Sequence, residues 1–147
     1  MSDDRTVLNQ RVVPYTREQI FKAWTDPELL AQWWGPNGFT NTFHTFELKP
    51  GGKWHFTMHG PDGTDYENLC VFEEIVAPER VVLDHIETVH RFLLSGIFTP
   101  VGNGTHVEFR QVFASAEECA RIRSFVTEAN EQNLDRLEAV LKKNNPT

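Results

Sequence analysis

The sequence has little positive charge and no long apolar run, and each shortage excludes a class of protein. Lysine and arginine total 14 against 21 acidic residues, which gives a formal net charge of −7. Such a chain repels nucleic-acid phosphates and anionic membranes, so neither partner is expected. No run of about 18 apolar residues could span a bilayer. The acidic, polar start does not have the pattern of a secretory signal, so we expect a cytoplasmic protein.

Cysteine is also scarce, and the motifs of metal and cofactor sites are missing. Cys70 and Cys119 fit neither a CxxC pair nor a zinc-ligand spacing, so both are interpreted as free thiols. His55 and His59 are four residues apart, about 13 Å along a strand, which is too far to share one zinc ion. The sequence contains no HExxH, GxGxxG, P-loop or GxSxG motif. We therefore predict no metal, no cofactor and little support for catalysis.

Aromatic residues, in contrast, are plentiful. Eleven Phe, four Trp and two Tyr make up 12% of the 147 residues, and two tryptophans are adjacent in LLAQWWGPNGFT. So much flat apolar surface must either fill the interior or line a cavity. The length is that of one domain, residues 1–147, with a core of its own.

The apolar pattern predicts a strand, two short helices, six more strands and a long last helix. The first helix begins at Thr16, whose hydroxyl forms a capping box with the side chain of Gln19. Asp26 caps the second helix, and Ser115 gives the same kind of signal for the last one. The predicted strands span residues 6–13, 40–48, 53–59, 65–75, 80–87, 90–99 and 105–113, and the second and last helices span residues 28–34 and 115–143.

This order predicts an α+β fold with a curved antiparallel sheet of about seven strands. A sheet with one apolar face needs a cover, and a single long helix can cover only part of it. If the sheet curls around that helix while the short helices close one end, a cavity is left at the other end.

The same order, with the segments TDPELLAQWWGPNGFT, ELKPGGKWHFTMHGPDG, FEEIVAPERVV and NLDRLEAVL, resembles the START-like helix-grip (SRPBCC) superfamily. Within it, the chain is similar to homologues of the activator of the ninety-kilodalton heat-shock chaperone ATPase, in the C-terminal domain type. The resemblance covers essentially the whole chain and implies the helix-grip fold. The superfamily includes chaperone activators, lipid carriers, aromatase/cyclases and resistance proteins, so the fold does not choose the activity.

Two departures from the resemblance bear on function. The eukaryotic co-chaperone carries an additional N-terminal domain that is not found in this sequence. Many bacterial relatives have a Gly-Trp pair in the last helix, where this chain reads EANEQNLDRL. We therefore expect a cavity that is wetter or roomier than in those relatives.

Candidate ligand contacts follow from strand alternation and from the aromatic excess. Trp33 and Trp34 diverge by about 100° on a helix, so one is expected to pack inward and the other to face a cavity, with the choice open. Core packing is the safer interpretation of Trp54, Phe56 and Met58, with cavity lining as the alternative, and core packing of both tryptophans is also open. Glu108 and Arg110 would add a polar anchor if their strand face turned inward. The predicted ligand-binding residues are Trp33, Trp34, Phe39, Trp54, Phe56, Met58, Tyr66, Asn68, His85, Asn130 and Asn133.

Three functions are compatible with these residues. We favour a domain that binds a small hydrophobic, aromatic or lipid-like ligand in an internal cavity. The first alternative is a co-chaperone-like domain that uses an exposed apolar patch to stimulate a heat-shock chaperone ATPase. The second is a cyclase- or hydrolase-like enzyme using His85 as an acid or base, and it is the least favoured. The sequence leaves open whether the protein is a monomer or a homodimer.

Overall fold

The computed structural model describes residues 4–87 and 91–145. The predicted start of one strand at His90 lies outside these residues. In chain order the elements are β1 (Thr6–Val13), α1 (Arg17–Thr25), α2 (Pro27–Trp33), β2 (Thr40–Phe46), β3 (Lys53–His59), β4 (Asp65–Val76), β5 (Arg80–Glu87), β6 (Phe92–Val101), β7 (Gly104–Phe113) and α3 (Ala116–Asn144).

The seven strands form one curved antiparallel sheet in the order β1-β7-β6-β5-β4-β3-β2. Each strand from β2 to β7 pairs with its neighbour in the chain, whereas β1 pairs with β7 at the far edge. The long helix α3 packs on the inner face against β1 and β7, and both short helices also contact it. This arrangement confirms the predicted α+β helix-grip fold. In the described ranges, no helix is both long and apolar enough to cross a membrane.

The helix starts are those that the sequence predicts. Thr16 and Gln19 form the reciprocal capping box, and the side chain of Asp26 accepts a hydrogen bond from the next helix. The end of α2 differs from the prediction by one residue. Trp34 is the C-cap and not a helical residue, because its backbone is extended at φ −66° and ψ 129°. The tryptophan pair is therefore divided between the helix and the turn that follows it.

The aromatic excess mostly fills the interior. Trp24, Trp33, Trp34 and Trp54 form one cluster, in which successive ring centroids are 5.1, 5.6 and 5.0 Å apart. Each of the four is at most 5% exposed, so each contributes the burial of a large apolar ring. A Cβ atom at Gly96 would lie 2.7 Å from the ring of Trp24, so the absence of a side chain there allows the cluster to approach the sheet.

Candidate functional site

A cavity of about 190 Å³ lies between the inner face of the sheet, the turn after α2 and the middle of α3. It is formed by side chains from β3 to β7 on one side and by one face of the helix on the other. Its lining residues are Trp34, Gly35, Pro36, Met58, Asn68, His85, Phe92, Phe109, Gln111, Val126, Ala129, Asn130 and Asn133.

Trp34, and not Trp33, supplies the indole in the cavity wall. Trp33 is fully buried, and its Nε1 atom donates a hydrogen bond to the carbonyl oxygen of Ala23 at 2.9 Å. Trp34 packs edge-on against Trp54 and Phe56 while it borders the cavity. Trp33 is the last residue of the helix and Trp34 follows it in an extended conformation, so the two rings point in different directions and only that of Trp34 borders the cavity.

A chain of amides determines which atoms one side of the cavity offers. The Glu131 carboxylate, held by Arg11, accepts a hydrogen bond of 2.7 Å from Asn9 Nδ2. Asn9 Oδ1 must therefore face Asn130, whose Nδ2 donates to it at 3.0 Å and to Gln111 Oε1 at 2.6 Å. Within the described part of the chain, Gln111 Nε2 and Asn130 Oδ1 have no hydrogen-bond partner. Through Asn9 and Asn130, the Glu131 carboxylate thus determines that Gln111 presents a donor to the cavity and Asn130 an acceptor.

Asn133 is oriented in the same way by the backbone. The N–H group of Gly35 can only donate, and it lies 2.8 Å from Asn133 Oδ1. Asn133 Nδ2 is left over as a second donor, with no partner among residues 4–87 and 91–145. Gly35 has φ +96°, a left-handed conformation that favours glycine.

His85 is oriented by a neighbouring strand. Asn68 Nδ2 donates to the carbonyl oxygen of Tyr66, so Asn68 Oδ1 faces His85 Nε2 at 2.9 Å. Since that oxygen can only accept, the imidazole carries its proton on Nε2 and leaves Nδ1 as an acceptor. Nδ1 is buried and has no partner among the described residues. It is enclosed, so a donor reaches it only if neighbouring side chains shift.

The cavity carries no formal charge. His85 is 4% exposed, and its burial lowers the pKa of the imidazole from 6.5 to about 4, although nearby Asp84 opposes this effect. His85 is therefore neutral at physiological pH. No Asp, Glu, Lys or Arg occurs among the described lining residues. The wall combines apolar surface with uncharged donors and acceptors.

Arg136 fastens the turn after α2 to helix α3. Its guanidinium donates to the backbone carbonyl oxygens of Gln32, Gly35, Pro36 and Phe39 at distances from 2.6 to 2.9 Å. No carboxylate contacts it in the part of the chain that the structure describes, and burial lowers the pKa of the guanidinium. The wall made by Trp34, Gly35 and Pro36 is therefore positioned by the helix on the other side of the cavity.

Comparison with known proteins places this geometry in a family. Residues 14–142 match the family described as "Activator of Hsp90 ATPase homolog 1-like protein". The chain belongs to this family. The match spans both short helices, the whole cavity wall and all but the end of α3, and it confirms the resemblance seen in the sequence. No match was found among curated proteins.

Solved structures similar to this member of the family share its fold. A crystal structure of a protein from Nitrosomonas europaea is 18% identical over 100% of both chains, with a TM-score of 0.89. A solution structure from Arthrobacter aurescens is 24% identical over 97% of this chain and 90% of that one, with a TM-score of 0.87. A Rhodobacter sphaeroides protein is 22% identical over 96% and 94%, with a TM-score of 0.84. At such identities the likeness shows the helix-grip fold.

In this family member the cavity brings together six of the predicted ligand-binding residues and leaves out five. Trp33, Trp54 and Phe56 are fully buried in the aromatic cluster. Phe39 and Tyr66 pack on each other at a centroid distance of 6.0 Å outside the cavity. The residues that line it are Trp34, Met58, Asn68, His85, Asn130 and Asn133.

Sequence reasoning missed Gln111, the polar residue that β7 contributes. Gln111 is 7% exposed and alternates with Phe109 on the inner face of the strand. Glu108 and Arg110 lie on the opposite face and interact with each other, so they do not form the conditional polar anchor. Alternation could have grouped Gln111 with Phe109, and the more apolar set marks the inward face.

The wall offers hydrogen bonds but few reactive groups. No Ser, Thr, Cys, Tyr or carboxylate is among the described lining residues, and the Nε2 proton of His85 is already shared with Asn68. His55 and His59 lie on the outer face of β3, each beside its own carboxylate. No group of three or more potential metal ligands occurs in the described ranges. The arrangement is suited to holding and orienting a molecule.

Proposed function

We propose that the protein binds a small uncharged organic molecule in the cavity between the sheet and α3. The supporting observation is the set of unpaired polar atoms in its wall: donors at Gln111 and Asn133 and an acceptor at Asn130. Gln111, Asn130 and Asn133 are at most 7% exposed, but their unpaired atoms are not fully enclosed, so a molecule in the cavity can reach them and replace water there.

The polarity of these atoms narrows the ligand chemistry. Each orientation is determined by a protein group and not by a ligand, namely the Glu131 carboxylate and the Gly35 N–H. The amides therefore cannot reverse without losing those hydrogen bonds. A ligand that both donates and accepts, such as a carboxamide or a hydroxy-carbonyl compound, matches the pattern. A carboxylate or an ammonium group would lose its hydration without meeting an opposite charge.

The direct test is titration of the protein with neutral carboxamides and hydroxy-carbonyl compounds. Binding is monitored by tryptophan fluorescence and by the NMR shifts of the backbone amides. Trp34 reports because its ring lies in the wall. Gln111→Met keeps the shape of the side chain but removes its donor, and we expect affinity to fall about fivefold to tenfold. Gln10→Met is the matched control, since Gln10 is exposed on the outer side of β1. If no neutral compound shifts resonances of the wall residues, the proposal is wrong.

A co-chaperone-like role is the second candidate, and the exposure of Phe125 favours it. This ring on the first half of α3 is 74% exposed, the highest value among the exposed large hydrophobic residues that the structure describes. The description of the family points the same way. A pull-down with the host's own ninety-kilodalton heat-shock chaperone, combined with an ATPase assay, tests it. If no complex forms and the ATPase rate does not change, this role is excluded.

A further inference from the structure

We propose that the ligand is an amphiphile, with its polar group in the cavity and an uncharged apolar tail in a groove outside it. This inference rests on the proposed function. The groove, called here the outer groove, has a volume of about 320 Å³ and lies between the turn after α2 and the first half of α3. Its lining residues are Pro36, Asn37, Phe39, Phe125, Glu128, Ala129 and Gln132.

The outer groove borders the cavity. Pro36 and Ala129 line both, so these two side chains form the boundary between them. Val126 lines the cavity while its neighbour Phe125 lines the outer groove. Because residues four apart lie on the same face of a helix, Phe125 is next to Ala129, and a chain that passes Ala129 into the outer groove meets the Phe125 ring.

The sizes also indicate that the cavity holds only part of a ligand. Small-molecule sites usually have volumes of about 300–1,000 Å³, and the cavity alone is about 190 Å³. Addition of the outer groove brings the site into that range. A molecule confined to the cavity would leave the apolar surface beside it uncovered.

The outer groove has the chemistry of a tail site. Pro36, Phe39, Phe125 and Ala129 give it apolar walls, and the Phe125 ring is 74% exposed. On this half of α3, Ile122 and Val126 pack against the small cluster of Val7, Phe113 and Cys119, so Phe125 is the large apolar side chain that is left uncovered. Glu128 disfavours an anionic tail, in keeping with the net charge of −7.

Straight-chain primary carboxamides test the inference, because their amide group both donates and accepts. Dissociation constants would be measured by tryptophan fluorescence from acetamide to decanamide, with fatty acids of equal length as the charged comparison. Once the chain outgrows the cavity, we expect each further methylene to raise affinity about twofold to fourfold. In Phe125→Ser this gain should disappear for long amides, while short amides bind as in the wild type. Phe125 is exposed, so the variant loses no core packing.

Val12→Ser is the control, since Val12 is 60% exposed on β1 and lies outside the outer groove. It should retain the full dependence on chain length. If short amides bind but affinity stops rising with length, or if Phe125→Ser binds long amides like the wild type, the tail site is refuted and the cavity proposal stands. If no amide of any length binds, the tail site is refuted, and the cavity proposal fails as well if neutral hydroxy-carbonyl compounds do not bind either.

Discussion

Replacement of His85 by glutamine should remove a large part of the pH dependence of stability. Gln places an N–H donor where His85 Nε2 donates to Asn68, but it does not titrate. In the folded protein burial lowers the pKa of His85 from 6.5 to about 4. As the pH falls below 6.5, His85 is protonated in the unfolded chain, whereas in the folded chain it stays neutral until about pH 4. His85 therefore lowers the free energy of unfolding over that interval and has no such effect above it.

The magnitude follows from the distance between the two pKa values. The full difference, from 6.5 to about 4, corresponds to about 3 kcal/mol of stability, of which about 2 kcal/mol is lost by about pH 5. Urea unfolding of both proteins at about pH 8 and about pH 5 measures it, because the other titrating groups cancel in the difference. The wild type should lose about 2 kcal/mol more than His85→Gln between these pH values. Equal losses within about 0.5 kcal/mol would refute a buried, neutral imidazole.

Two further substitutions test packing around the site, both by urea unfolding. Arg136→Lys should lower the free energy of unfolding by about 2 kcal/mol, because an ammonium group cannot reach all four carbonyl oxygens that the planar guanidinium contacts. Unchanged stability would show that Arg136 does not hold the turn in place. Gly96→Ala should lower the free energy of unfolding by about 1–3 kcal/mol, because the new Cβ would lie 2.7 Å from the Trp24 ring. The control is Gly51→Ala, where a Cβ would have no atom within 4 Å and the backbone has φ +82°, so the loss should be the backbone strain of about 1–2 kcal/mol. A smaller loss of stability in Gly96→Ala than in Gly51→Ala would show that the tryptophan cluster shifts to make room for the new methyl group.

The fold was predictable because local signals and global order agree. The bounds of β1, β3 and β5 are those of the pattern, and the capping residues Thr16 and Asp26 are where the sequence places them. The end of α2 differs because a helix pattern cannot show where the chain turns. Trp34 becomes extended there so that its ring can join the aromatic cluster.

The candidate site was predictable only in part. Alternation indicates which residues share a face, and it placed Asn68 and His85 on the inner side of the sheet. It does not show depth, so it left Trp54 and Phe56 open between core packing, where the structure places them, and cavity lining. The amide chain is also invisible in sequence, because Asn9 meets partners more than 100 residues away. Such contacts depend on tertiary packing, which no local pattern encodes.

The pairing of β1 with β7 has a consequence for how the chain folds. Thr6 lies opposite Val112, so this edge of the sheet can close only after the first 112 of the 147 residues have been synthesised. Contacts so distant in sequence carry a high entropic cost before they contribute stability, so they are expected to form late. Asn9, Gln111 and Asn130 meet at this seam. The ability to bind a ligand would therefore arise in the last folding step, and a bound ligand would stabilise the completed fold and no earlier intermediate.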